Sequence, residues 1–272
     1  MAPPDIELLH DGGGMLAVHK PAGLLVHRSA IDAQEADDLV SRLRQQLGAP
    51  VWLVHRLDKG TSGVLALGRS AQVASTLAAA WNTGQVHKQY LALVRGWPSD
   101  HGQTDQPLAR DPELPSQGQP QLPASTRWQL LRRLELPLQT HPDHTSTRLA
   151  LLLVTPTTGR RHQIRRHFKQ LGHPLVGDAT HGKGPLNRAL AAHFGHSRLW
   201  LHAWRLRLPH PLTGEPVQLQ AEPSANWLAT VGAVQLEAKA AVAMLGPRPG
   251  YQGPGTRNRH QQGPQPESTD AP

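Results

Sequence analysis

The chain has 272 residues and no cysteine, with 28 Lys and Arg against 20 Asp and Glu. Its length allows one large domain or two small ones with a sizeable core. The missing cysteine excludes disulfides, thiol nucleophiles and thiolate-held zinc, and the net charge of +8 favours a polyanionic partner, above all nucleic acid.

The N-terminus, MAPPDIELLHDGGG, lacks the basic and then apolar stretches of a signal peptide. With no cysteine present, that fits a cytoplasmic protein. Met15 to Val18 is predicted as a short strand, followed by a Pro-Gly loop and a second short strand through LLVH. EADDLVSRLRQQLG reads as a helix: Leu39, Val40, Leu43 and Leu47 keep helical spacing, and Gly48 stands where a glycine cap belongs. VWLV reads as a strand running directly into VHRLDKGTSG, residues 54–63. GVLALG alternates like a further strand. SAQVASTLAAAWNTG is a second helix with Ser70 as N-cap and Gly84 as C-cap, and VHKQYLALVRG is a strand.

Residues 98–146 are rich in Pro, Gln, Ser and Asp and read as loops and edge strands, with a strand-like piece at STRWQLLRRLEL. TRLALLLVTP is a buried strand whose apolar run is far too short to span a bilayer. GRRHQIRRHFKQLGH reads as a helix ended by Gly172. SRLWLHAWRLRLPHP alternates as a strand, and HPLTGEP turns into VQLQA. NWLATVGAVQLEAKAAVAML is a last helix after Ser224. From Leu245 to Pro272, 11 of 28 residues are Gly or Pro, the composition of a disordered tail. Strands and helices mix without regular alternation. The expected fold is therefore α+β: one domain over 1–235, a mainly antiparallel central mixed sheet flanked by helices and loops, and a tail over 245–272.

Three features carry candidate chemistry. Asp58 leaves the end of an apolar strand, and Arg56, two positions back, would favour its ionised form. An ionised, positioned carboxylate can be a nucleophile or a base. The plainer reading of the stretch alone is a turn in which Asp58 caps Thr61 or Ser62. The second feature is a predicted basic helix face: His162, Arg165, Arg166 and Lys169 at i, i+3, i+4 and i+7, with Ile164, Phe168 and Leu171 opposite. No acidic residue lies between Gly159 and Leu175, whereas a solvated helix usually interleaves signs. From Thr147 to Glu222, eleven Lys or Arg stand against three Asp or Glu, which accounts for the whole net charge. The third feature is Tyr90, one of only two tyrosines, so bases stacked on rows of aromatics are not expected. GDATHGKG has P-loop spacing, but Gly184 stands where a hydroxyl is needed. His162 and His167 are five apart, the wrong spacing for one metal-binding face.

HRLDKGTSG, TGRRHQIRRH and GHPLVGD, with LAVHKPAGLLVH and KQYLALVRG in the same order, resemble the RluA-type pseudouridine synthases over about Leu8 to Trp227. The resemblance implies the catalytic domain of that family, with Asp58 as catalytic aspartate and Tyr90 against the target uracil, helping in proton transfer. It implies that Arg165 pairs with Asp58, and that Arg56 takes the place of the flipped base. Arg160, Arg161, His162, Arg166 and Lys169 would bind RNA. VHRSAID and the segment from HGKGPLNR to HPLTGEP look most like the branch that modifies a T-stem uridine of tRNA, with large-subunit ribosomal RNA as the alternative substrate. No cofactor, metal or membrane is expected, and a monomer is the default. The chemistry agrees: isomerisation breaks the N1–C1′ bond, turns the base and joins C5 to C1′, without oxidation or hydrolysis. Glycosidases that use water need two carboxylates, whereas an isomerase that keeps its leaving group needs one. Asp58 could add to C1′ or take the C2′ proton.

Overall fold

The computed structural model describes residues 4–28 and 37–232. Its strands are β1 (Leu8–Gly12), β2 (Met15–Lys20), β3 (Trp52–Leu53), β4 (Ser62–Gly68), β5 (His87–Arg95), β6 (His101–Thr104), β7 (Leu108–Ala109), β8 (Gln121–Leu122), β9 (Thr126–Leu136), β10 (Thr147–Pro156), β11 (Leu201–Pro209) and β12 (Pro216–Gln220). The helices are α1 (Leu39–Leu47), α2 (Ala71–Asn82), α3 (Gln163–Gln170), α4 (Gly184–Phe194) and α5 (Ala225–Val231). Ten strands form one sheet in the order β1-β2-β4-β11-β5-β10-β9-β6, with β3 on β4 and β12 on β11; β7 and β8 form a separate hairpin. Among the described strands only β11 and β4 pair in parallel, so the fold is α+β around a mainly antiparallel mixed sheet.

β10 reads as an unbroken apolar run because both its faces are covered. Leu149, Leu151 and Leu153 pack with Leu186 and Leu190 of α4 and with Trp200, Trp204 and Trp227. Ala150, Leu152 and Val154 pack with Ile164 and Phe168 of α3. A third cluster holds Leu39, Val40 and Leu43 of α1 against β2 and β4.

Several local expectations are corrected. LLVH forms no strand; Leu25 makes only an isolated bridge with Asp38. β9 is an interior strand between β10 and β6, because its long register on β10 is continued by pairing of Trp128 and its neighbours with β6. α4 was not anticipated, although Leu186 and Leu190 keep i, i+4 spacing and Pro185 suits a first turn. The helix expected from Gly159 begins only at Gln163. The part of the last helix beyond Val231 and the 245–272 tail lie outside the described residues.

The topology brings chemistry to one end of the sheet. The parallel register sets Ser62 beside His202, and Tyr90 lies between Val154 and Ala203. Gly63 makes the β4–β11 approach possible: at φ +116° it faces the Ala203 carbonyl, which an added Cβ would meet at 2.1 Å.

Candidate active site

The loop between β3 and β4 carries Asp58. His55 pins the start of that loop: its Nε2 accepts from the Ala66 amide at 3.0 Å and its ring stacks on Trp81. Burial, with the Lys88 charge adding to it, pushes His55 down to about 3, which keeps the ring neutral as that acceptor. The Thr61 amide donates to the Asp58 backbone carbonyl, so the turn is closed by backbone and the carboxylate is left to face elsewhere. The capped-turn reading of the Asp58 side chain is therefore corrected.

The partner of Asp58 is Arg165, whose Nη1 donates to Oδ2 at 2.9 Å. Arg56 lies exposed on the same loop and forms no ion pair with Asp58 among the described residues. Arg165 is itself fixed by Asp178, with Nε to Oδ2 at 2.8 Å and Nη2 to Oδ1 at 2.9 Å. This bidentate pair matches the planar fork of a guanidinium. Burial opposes the charge on Arg165, but the hydrogen bonds and charges of Asp178 and Asp58 outweigh it and raise its value further. Burial likewise pushes the Asp178 carboxyl up, yet Arg165 and the His181 amide hold it below the usual carboxylate value. The two carboxylates differ in access: the Asp58 side chain is 27% exposed and that of Asp178 is 0% exposed. Only Asp58 can meet a substrate. His162 Nε2 lies 3.8 Å from Asp58 Oδ1, and its Nδ1 is 3.2 Å from His181 Nε2.

The basic helix face is corrected. His162 is not in the helix; it sits before it at φ 54°, in the left-handed region that a non-glycine residue seldom takes. Gln163 explains the late start: its Oε1 accepts from the Arg160 amide at 2.9 Å and its Nε2 donates to Ser125 O at 2.9 Å. Arg165 turns inward, Arg166 is half-buried, and Leu171 is exposed. The absent acids are supplied from elsewhere in the chain. Arg161 pairs with Glu113 and lies 3.7 Å from Asp111, Arg166 donates to Ala109 O at 2.9 Å, and Arg160 donates to Pro123 O at 2.9 Å. These side chains clip the β7–β8 hairpin onto α3 and the turn that precedes it. Lys169 is exposed.

Tyr90 is partly buried on β5. Burial first, and then the Asp58 charge, push its phenol above the ordinary value, so it is a neutral hydrogen-bond donor.

Lys20 was not anticipated, although a lysine at a core-facing position of the MLAVHK strand was the available signal. Its Nζ donates to Pro21 O at 2.8 Å, Leu24 O at 2.6 Å and Lys59 O at 3.1 Å, tying the first loop to the Asp58 loop. Three carbonyls suit an ammonium, and the Asp58 charge favours it, but burial is the larger effect and brings Lys20 from 10.5 down to about 7. Between those values the unfolded chain holds this proton and the folded chain releases it, so this group's effect is to make stability rise with pH across that window. Denaturant unfolding should show wild-type stability, relative to Lys20→Met, increasing from about pH 7 to about pH 9. Parallel curves would contradict the assignment.

Among the described residues no group of three His, Asp or Glu is placed to hold a metal, and no helix is long and apolar enough to cross a membrane.

Comparison with known proteins places these residues in context. A family model described as RNA pseudouridylate synthase matches residues 14–170. The tRNA pseudouridine synthase C of Salmonella typhimurium is 39% identical over 234 residues, covering 82% of this chain and 87% of its own. That of Vibrio cholerae is 40% identical over 227 residues, covering 82% of this chain and 93% of its own. The solved structure of Human RNA Pseudouridylate Synthase Domain Containing 1 aligns with a TM-score of 0.63 at 26% identity, over 82% of this chain and 86% of that one.

Proposed function

The chain belongs to the RNA pseudouridylate synthase family, and on that premise we propose that its substrate is tRNA and its catalytic group Asp58. The target in this reading is a uridine of the T-stem, uridine 65. Relatives named for tRNA, at about 40% identity over 82% of the chain, support the substrate. The observation that carries the catalytic assignment is the Asp58–Arg165–Asp178 chain, in which the buried Asp178 fixes Arg165 and Arg165 fixes the accessible carboxylate.

The roles are those the family resemblance implies, and the geometry is compatible with them. Arg165 holds Asp58 aimed at the sugar of an extruded nucleotide, where the carboxylate either adds to C1′ as N1 leaves and is later displaced by C5, or takes the C2′ proton as N1 leaves and returns it once C5 has bonded. The base then turns, C5 bonds to C1′, C5 loses its proton and N1 gains one, so the product is an isomer. Tyr90, neutral and beside the Asp58 charge, packs against the uracil and hands on that proton. Arg56, free at the loop surface, fills the vacated stack, which offsets part of the few kcal/mol that extrusion costs. Exposed Lys169 and Arg160 meet flanking phosphates, while Arg161, His162 and Arg166 shape the surface there.

A tritium-release assay tests the substrate. tRNA transcripts carrying 5-tritiated uridine should release tritium, with loss confined to the T-stem uridine, and large-subunit ribosomal RNA fragments should release none. The reverse pattern would overturn the tRNA assignment.

A further inference from the structure

Arg198 is a half-buried guanidinium. It forms no ion pair with a carboxylate among the described residues. Its position is nonetheless tightly defined. The Arg198 carbonyl lies against Gly177, next to Asp178, where an added Cβ would meet it at 1.7 Å. Its side chain reaches the other way, to Ser62, four residues after Asp58. Nη2 donates to Ser62 Oγ at 2.7 Å, Nε lies 3.4 Å from Leu199 O, and the guanidinium stands 5.6 Å from the Trp200 ring centre.

The Ser62 oxygen is set as an acceptor by a chain of hydrogen bonds. His202 Nε2 lies 2.8 Å from Ala221 O, and a carbonyl only accepts, so Nε2 carries the hydrogen. Burial, opposed by that carbonyl, brings His202 down to about 4, so the ring is neutral and Nδ1 is an acceptor. The Ser62 hydroxyl therefore donates to Nδ1 at 2.8 Å, which leaves its lone pairs for Arg198. The parallel β4–β11 register that puts Ser62 beside His202 is what makes this possible. Nη1 and the second Nη2 hydrogen have no protein acceptor among the described residues.

We propose that Arg198 is a further binding residue of the site, a guanidinium held in place by Ser62 and His202 to take a backbone phosphate beside the target uridine. A partly desolvated fork with open donors and no carboxylate is suited to a phosphate. Burial pushes Arg198 down to about 10, so the cation persists at neutral pH and gains from an anion. Ser62 and His202 are positioning residues. The inference rests on the RNA reading above, but its test is binding, so the two can fail separately.

Fluorescence anisotropy with an unmodified tRNA transcript over a series of KCl concentrations decides it. Arg198→Gln should weaken Kd by about 10- to 100-fold. It should also make the slope of log affinity against log salt shallower by about 0.7 to 0.9, one phosphate contact. Arg198→Lys should keep the wild-type slope. Ser62→Ala leaves the charge and removes its tether, and should weaken Kd by about 3- to 10-fold at an unchanged slope. Wild-type Kd and slope in Arg198→Gln, or weaker binding without a change of slope, would overturn the proposal. Should Arg198→Gln fail to fold, as thermal unfolding would report, Ser62→Ala carries the test, and wild-type affinity there overturns it. Tritium release by the wild type reports independently on the tRNA reading.

Discussion

Asp58→Asn is expected to lower single-turnover isomerisation by at least about 10⁴-fold while tRNA binding stays within about threefold. The substitution keeps the shape of the side chain and removes its charge. Arg165 keeps both of its bonds to Asp178, so the guanidinium does not lose its anchor. Asp58 is partly exposed, and the cost to folding should be under about 1 kcal/mol. Protein–RNA affinity comes chiefly from cations on phosphates, which a carboxylate does not supply. Tritium release and anisotropy on the same preparation separate the two quantities. Isomerisation near the wild-type rate would remove Asp58 from the mechanism.

Arg165→Met is expected to lower stability by about 3 to 5 kcal/mol and to abolish activity as well. The larger effect on folding comes from Asp178, which is 1% exposed and would be left as a buried charge without its cation. The Thr180 and His181 amides would still donate to Asp178 Oδ1 at 3.0 and 2.8 Å, but two amides do not balance a charge removed from water. The double variant Arg165→Met with Asp178→Asn removes the charge and keeps an oxygen for those amides. It should regain most of the lost stability and none of the activity. That contrast separates the folding role of the pair from its hold on Asp58. A single Arg165→Met variant as stable as wild type, by denaturant unfolding, would show that the pair is not what fixes this end of the molecule. The sign with pH agrees: the folded value of Asp178 is depressed, so its contribution is present above the ordinary carboxylate value and is lost as pH falls through the depressed one.

The elements that were legible in the sequence are those with local signals. β10 shows as a continuous apolar run, and Ser70 and Gly48 mark a helix start and a helix end as caps should: Ser70 accepts from the Val73 amide, and Gly48 takes φ 59°. The pairing of Asp58 with Arg165 is expected from the family motifs, and the structure has that bond at 2.9 Å. The start of α3 was not, because what replaces its first turn is a contact from Gln163 to Ser125, distant in sequence. The basic face does not form for the same reason: His162 lies before the helix, Arg165 turns inward to Asp178, and Arg166 reaches Ala109 on the β7–β8 hairpin. Asp178 ends the GHPLVGD motif but carries no local mark of a buried ion-pair partner. Lys20 and the Arg198–Ser62–His202 chain depend on strand register, which spacing along one segment does not reveal.

The central claim is that this chain makes pseudouridine in the tRNA T-stem through Asp58, and mapping of modified bases in tRNA tests it most directly. In a strain lacking the gene, the T-stem uridine should be unmodified; the wild-type gene should restore pseudouridine there, and the Asp58→Asn gene, expressed at the same level, should not. Restoration by Asp58→Asn, or an unchanged T-stem pseudouridine in the strain without the gene, would contradict the account.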